Sequence, residues 1–155
     1  MQKVTKEIIV KPIAFVKNSR KEKVDDNWGE ITSEIVLNDE LPESCFDGIE
    51  EFSHIEVIFY FDKSTDIVIG SEHPRENSNW PKVGIFAQRK KDRPNHLGLT
   101  VAKLLKREGR ILTVSNLDAI DGTPVLDIKP VFDEFMPKEE IIQPDWSSEL
   151  MKYYW

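Results

Sequence analysis

The chain has 155 residues, a formal net charge of −7, 39% hydrophobic and 32% charged residues, a size that supports one domain with its own core. Its single cysteine, Cys45, excludes an intramolecular disulfide and fits a reducing, cytoplasmic setting, while the acidic balance argues against indiscriminate polyanion binding. No apolar run is long enough to cross a bilayer, the first residues carry no apolar signal core, and the three histidines stand apart, so no membrane span or metal site is expected.

In chain order, the β-branched run Ile8–Val16 predicts an opening strand with Pro12 at an edge or bulge. Lys17 to Gly29 is a polar loop holding Trp28, suited to stacking on a ligand or covering a core edge. Alternation of Ile31, Ser33, Ile35 and Leu37 predicts a half-buried strand. Asn38 to Pro42 reads as a helix start, with a short helical turn through Cys45 and Phe46 ending at Gly48. Phe52 to Phe61 is a strand with Ile55, Val57, Phe59 and Phe61 on one face. Asp66 to Trp80 is a loop, and Val83 to Ala87 reads as a buried strand. Leu97 to Leu105 and Arg110 to Leu117 form a hairpin around Lys106–Gly109. Asp118 to Pro124 is turn chemistry, and Val125 to Pro130 closes the sheet. The tail from Pro144 to Trp155 suits a short amphipathic helix capped by Asp145. The expected fold is all-β, mainly an antiparallel barrel, with short helical additions. It forms one domain over residues 1–155, with 136–155 a C-terminal tail or helix packing on it.

Charge is unevenly spread. Residues 24–80 carry two cations and fifteen anions, whereas residues 81–110 carry nine cations and two anions. Arg89, Lys90, Lys91 and Arg93 fall within five positions, beside the Arg93-Pro94-Asn95 turn. An Arg fork on a Pro-stiffened turn suits carboxylate or phosphate, and a solvated basic loop has the same composition. Lys103, Lys106, Arg107 and Arg110 suit nucleic-acid phosphates or an ordinary hairpin surface.

Gly84-Ile85-Phe86-Ala87-Gln88-Arg89 followed by Arg93-Pro94-Asn95-His96-Leu97-Gly98-Leu99 resembles the signature of the TrmO family of S-adenosylmethionine-dependent tRNA methyltransferases. Phe52-Ser53-His54-Ile55 with Phe59-Tyr60-Phe61, and Leu117 through Pro130, are similar to two further family motifs in the same order, so the likeness covers roughly residues 9–135. The resemblance implies a β-barrel enzyme outside the Rossmann class, acting as a homodimer. It implies N6-methylation of threonylcarbamoyladenosine at tRNA position 37. By the same resemblance the S-adenosylmethionine site takes Asp62, Lys63, Arg89, Leu99 and Ser115-Asn116-Leu117-Asp118, with Asp26, Asn27 and Trp28 from the early loop. Arg93 and Asn95 join that pocket, across the dimer interface in one arrangement.

Two positions depart from the family pattern: His96 replaces its usual proline and Asp62 its usual histidine. They leave open a small molecule or another RNA as substrate, or a barrel that binds S-adenosylmethionine without turnover. The expected chemistry is a direct displacement that needs alignment rather than a covalent nucleophile. Asp118, Asp121 and His54 are candidates to take a proton from the acceptor nitrogen. Expected tRNA contacts are Arg93, Lys103, Lys106 and Arg107.

Overall fold

The computed structural model describes residues 6–155. Six strands close into an antiparallel barrel: β1 (Ala14–Lys17), β2 (Thr32–Leu37), β3 (His54–Tyr60), β6 (Leu97–Glu108), β7 (Ile111–Ser115) and β8 (Pro124–Pro130). Their spatial order is β1-β2-β7-β6-β3-β8, with β8 returning to β1. A separate two-stranded ribbon joins β4 (Ser71–Glu72) to β5 (Val83–Gly84). Among the described residues the one α-helix is α1 (Asp145–Leu150), near the C-terminus, and short 3-10 turns fill several connections.

Alternation produces the barrel. Ser33, Ile35 and Leu37 of β2, Ile55, Val57 and Phe59 of β3, and Gly98, Thr100 and Ala102 of β6 are buried, while the residues between them are half-buried or exposed. A period of two thus sends one face inward along each strand. The interior is filled by Ala14, Val16, Ile35, Leu37, Phe46, Ile55, Val57, Phe59, Leu112, Val114, Leu117 and Val125. Closure also leaves no long unpaired sheet edge.

Several boundaries differ from the expected ones. The opening strand starts at Ala14, not Ile8, and Ile8, Ile9 and Val10 are exposed. Pro12 has no N–H to give a ladder, and regular pairing begins only beyond it. Val83 to Ala87 is not a buried strand: only Val83–Gly84 pairs, Ile85–Ala87 is a 3-10 turn, and Phe86 is 81% exposed. The Ile85 N–H goes to Gly70 O at 2.8 Å, which ends the ribbon. Asp145 is not the cap of α1; Pro144 holds that place and Asp145 opens the first turn, where a carboxylate favours the helix dipole. The turn at Glu43–Phe46 ends, as expected, near Gly48 in a left-handed conformation (φ 85°).

One loop clip carries a pH dependence. Asp121 Oδ1 accepts the Asn18 N–H at 2.9 Å, and its Oδ2 accepts from Lys21 Nζ at 2.7 Å, tying the β1–β2 connection to the turn before β8. The hydrogen bond from Lys21, then that from the Asn18 amide, holds the Asp121 carboxyl below the ordinary carboxylate range. A depressed folded value gives stability that is complete above the unfolded carboxylate value of about 3.9 and is lost as pH falls through the folded one. Asp121→Asn is therefore expected to lower the urea midpoint at pH 7 and to converge with wild type at acid pH, once the Asp121 carboxyl is protonated in the folded protein. A constant gap at both pH values would reject the clip as the source.

Candidate functional site

A cleft of about 1030 Å³ opens at one mouth of the barrel. Phe59 and Phe61 come from β3 and the residues just after it, Leu97 to Val101 from β6, and Asp118 to Ile120 from the turn after β7. The basic stretch supplies Phe86 to Lys91 and Arg93, and the tail supplies Trp146, Leu150, Met151 and Tyr154. Apolar and aromatic walls with a few convergent charges are the usual make-up of a small-molecule site, and the volume is at the upper end of that class.

The charges are arranged by side-chain commitments. Lys90 pairs with Glu72, and Arg75 Nη2 lies 2.9 Å from Asp26 Oδ1. Arg93 Nη1 donates to Gln88 O at 2.7 Å and to Lys90 O at 3.3 Å, so its guanidinium pins its own loop. Buried Gln88 donates to Glu72 O and Val83 O, which locks the ribbon beneath that loop. Arg89 Nη2 donates to Leu99 O at 2.5 Å, and Arg89 lines the cleft. Lys23, Lys63, Arg89 and Lys91 line the cleft and form none of the ion pairs seen among the described residues.

Asp118 is the most constrained carboxylate of the cleft. One oxygen accepts from Thr100 Oγ1 and the other from the Tyr154 hydroxyl. Burial first, and the neighbouring Asp118 charge second, push the Tyr154 hydroxyl well above the ordinary phenol range, so it stays protonated and donates. A carboxylate has about four lone-pair sites. The remaining ones are free for a hydroxyl or N–H of a bound molecule.

Of the residues expected at the site, Trp28, Asp62, Lys63, Arg89, Arg93, Leu99 and Asp118 come together around this cleft. The others are placed differently. Asp26 is turned to Arg75, and its neighbour Asp25 lines the cleft instead. Asn27 takes a left-handed backbone (φ 64°), and its N–H bonds Tyr153 O at 2.9 Å. Ser115, the last residue of β7, and Asn116 just after it lie outside the cleft, and Leu117 is wholly buried in the core. Asn95 is exposed and does not line it. His54 stands at the other end of β3, opposite Lys103, with Nδ1 2.7 Å from Ser53 Oγ. His54 is five residue steps along the strand from Phe59, on the order of 16 Å, and is not among the residues that line this cleft.

The basic residues of the β6–β7 hairpin are also placed elsewhere. Arg107 Nη2 is 3.1 Å from Asp47 Oδ1 and also donates to Glu43 O, and Arg110 donates to Asn38 O and Leu41 O. Lys106 pairs with Glu108 at 3.0 Å. Both arginines brace the segment from Asn38 to Glu50, and Lys103 alone of the group expected at phosphates lacks such a commitment among the described residues.

Sequence reasoning missed Thr100, Phe86, Lys91, Trp146 and Tyr154. Thr100 had a signal, since alternation from Gly98 to Ala102 sends it inward and no apolar residue stands there. Lys91 and Phe86 sat within the basic stretch without a distinguishing pattern. Tyr154 had none, because its partner Asp118 is thirty-six residues away in the chain.

A small closed barrel with an apolar, cation-lined cleft at its mouth defines a class of compact ligand-binding β-barrel domains. Within that class, residues 23–135 match the tRNA-methyltransferase O N-terminal domain, and the chain belongs to this family. It is 40% identical over 103 residues to the human protein named tRNA (adenine(37)-N6)-methyltransferase, a match covering 66% of this chain and 23% of that one. It is 36% identical over 126 residues to an Archaeoglobus fulgidus S-adenosyl-L-methionine-binding protein, covering 79% of this chain and 88% of that one. A crystal structure of TrmO from Pseudomonas aeruginosa superimposes with a TM-score of 0.71 at 25% identity, covering 87% of this chain and 61% of that chain. The chain thus spans about a quarter of the human relative's length and most of the archaeal one's.

Proposed function

We propose that the chain is an S-adenosylmethionine-dependent methyltransferase acting on N6 of adenosine 37 in tRNA, with the threonylcarbamoyl form as its substrate. The observation that carries the reading is that the motifs of residues 23–135 converge on one cleft, where Asp62, Lys63, Arg89, Leu99 and Asp118 meet.

The residues present fit the methyl donor. Phe59, Phe61, Leu97 and Leu99 offer apolar walls for a purine, Asp62 and Asp118 can accept from ribose hydroxyls or an amino group, and Arg89 or Lys63 can take a carboxylate. When bound, S-adenosylmethionine supplies a methyl group already activated on a sulfonium. The chain's task is then alignment, a source of up to about 7–11 kcal/mol in favourable cases. Asp118, fixed by Thr100 and Tyr154, orients a ligand donor with its remaining lone pairs. Arg89, fixed through Leu99 O, presents its remaining donors without reorganisation.

For tRNA, the cleft cations Lys23, Lys63 and Lys91 are better placed than Lys106 or Arg107, which are engaged elsewhere. A homodimer through the outer face of β6 suits Val101 and Leu105, 44% and 47% exposed. No helix among the described residues is long and apolar enough to cross a membrane, and a cytoplasmic enzyme fits a tRNA substrate.

The test has two stages. Titration calorimetry with S-adenosylmethionine and its demethylated product is expected to show binding; no heat with either would remove the cofactor reading. Incubating bulk tRNA with cofactor labelled in the methyl group, then separating nucleosides, is expected to place the label on modified adenosine. A second reading, a barrel that binds S-adenosylmethionine without methyl transfer, is favoured by the archaeal relatives of similar length, which are named as S-adenosyl-L-methionine-binding proteins. Binding without label transfer to tRNA or to a metabolite pool would select it.

A further inference from the structure

The tail lies outside the residues that match the family, yet it forms a whole wall of the cleft. Gln143, Pro144, Trp146, Ser147, Leu150 and Tyr154 line that wall. The tail is held by main chain as well as side chains. The Asn27 N–H bonds Tyr153 O at 2.9 Å, and the Trp28 N–H bonds Tyr154 O at 2.7 Å. Gly29 closes the clamp: a Cβ there would stand 2.7 Å from the Trp155 carbonyl carbon. Trp28 is 4% exposed, with Arg20 stacked 4.4 Å over its ring and its Nε1 donating to Asp25 O. Main-chain bonds thus tie the early loop to the tail, and the Tyr154 hydroxyl carries the tail's hydrogen bond to Asp118 at the barrel mouth.

We propose that the tail is a built part of the ligand site, a strap clamped by the amides of Asn27 and Trp28, and that Tyr154 is a positioning residue that fixes the Asp118 carboxylate toward the bound nucleoside. The strap itself stands on the geometry alone; the nucleoside rests on the functional reading above. Several features fit a positioning role. Thr100 grips one carboxylate oxygen from the barrel interior and Tyr154 grips the other from outside, so the rotation of Asp118 is fixed only when the tail is docked. The charged acceptor makes this a strong hydrogen bond, and a phenol that stays protonated never competes with it for a proton. Other charged groups facing Tyr154 are Arg89 and Arg75, which oppose the effect of Asp118 on the phenol. Ligand binding and tail docking are therefore coupled, each favouring the other.

The test uses the full chain and compares wild type with Gly29→Ala, Tyr154→Phe, Asp118→Ala and the Tyr154→Phe/Asp118→Ala pair. In the first arm, without ligand, amide exchange of residues 24–30 is followed by mass spectrometry. Gly29→Ala is expected to raise exchange there at least fivefold while the strands keep their protection; unchanged exchange would overturn the strap. In the second arm, S-adenosylhomocysteine is titrated by calorimetry. Tyr154→Phe is expected to weaken binding about tenfold in the wild-type background and not at all in Asp118→Ala. Equal affinity of wild type and Tyr154→Phe, or the same loss in both backgrounds, would overturn the positioning role. If no protein binds the nucleoside while Gly29→Ala still loosens residues 24–30, the nucleoside reading and the positioning role fall and the strap stands.

Discussion

Phe59→Ala is expected to remove about 3–5 kcal/mol of folding stability, the usual range for emptying a buried phenylalanine site. Phe59 is 1% exposed, is among the largest fully buried side chains, and packs edge-on to Phe61 with ring centroids 5.2 Å apart. It forms the boundary between the barrel interior and the floor of the cleft. Small domains have about 5–15 kcal/mol in all, so this single change takes a large share. Gly98 is the other half of the same contact. A Cβ at residue 98 would stand 2.5 Å from Phe59 Cε2 and 2.6 Å from Cζ, inside any real contact distance. Gly98→Ala is thus expected to cost about 1–3 kcal/mol through overpacking. Shortening the ring relieves that clash, so Gly98→Ala combined with Phe59→Leu should cost less than the sum of the two. Urea unfolding of the four proteins measures it; strict additivity would mean that the two residues do not share the contact.

Arg89→Ala is expected to weaken S-adenosylmethionine binding by tenfold or more, with little change in thermal midpoint. Arg89 is exposed, and its one hydrogen bond to protein, to Leu99 O at 2.5 Å, orients it rather than holding the fold. A charge-assisted contact from a preoriented guanidinium is worth roughly 1.5–3 kcal/mol, and tenfold corresponds to about 1.4 kcal/mol. Lys90, its sequence neighbour, serves as the internal comparison. Its ammonium is committed to Glu72 and stands 4.0 Å from Asp92. Lys90→Ala should disturb the ribbon more than the ligand, and equal affinity losses from the two variants would point to general charge rather than a defined contact.

Those two adjacent cations show where sequence reading stops. Arg89, Lys90, Lys91 and Arg93 form one basic patch in the sequence, but the fold divides their tasks. Lys90 and Arg93 stabilise the loop, while Arg89 and Lys91 reach the cleft. Nothing local distinguishes them, because the division depends on Glu72 and on carbonyls brought in by the ribbon. The strands were legible wherever alternation ran unbroken, as in β2, β3 and β6. Val83 to Ala87 misled because an apolar composition fits an exposed rim as well as a core, and Phe86 stands on the rim. Asp118, Asp62, Lys63 and Arg89 were legible through motifs. Tyr154 and Trp146 were not, since they lie in a tail whose apolar residues suit any docking surface.

The closing seam of the barrel sets how the molecule breathes. β1 meets β8 through only two strand pairs, Ala14↔Val125 and Phe15↔Pro124, and a proline gives the ladder no N–H. Beyond them the seam depends on Ile13 N–H to Val125 O, Val16 N–H to Thr123 O and Gly122 N–H to Val16 O. Its partners are separated by about a hundred residues, so closing it costs loop-closure entropy. An opened β1 would expose a bare sheet edge, the surface on which chains of this kind join end to end and aggregate. The Asp121 clip to Asn18 and Lys21 sits directly beside that seam. Its deeper service is to keep a cylinder from unrolling into a sheet.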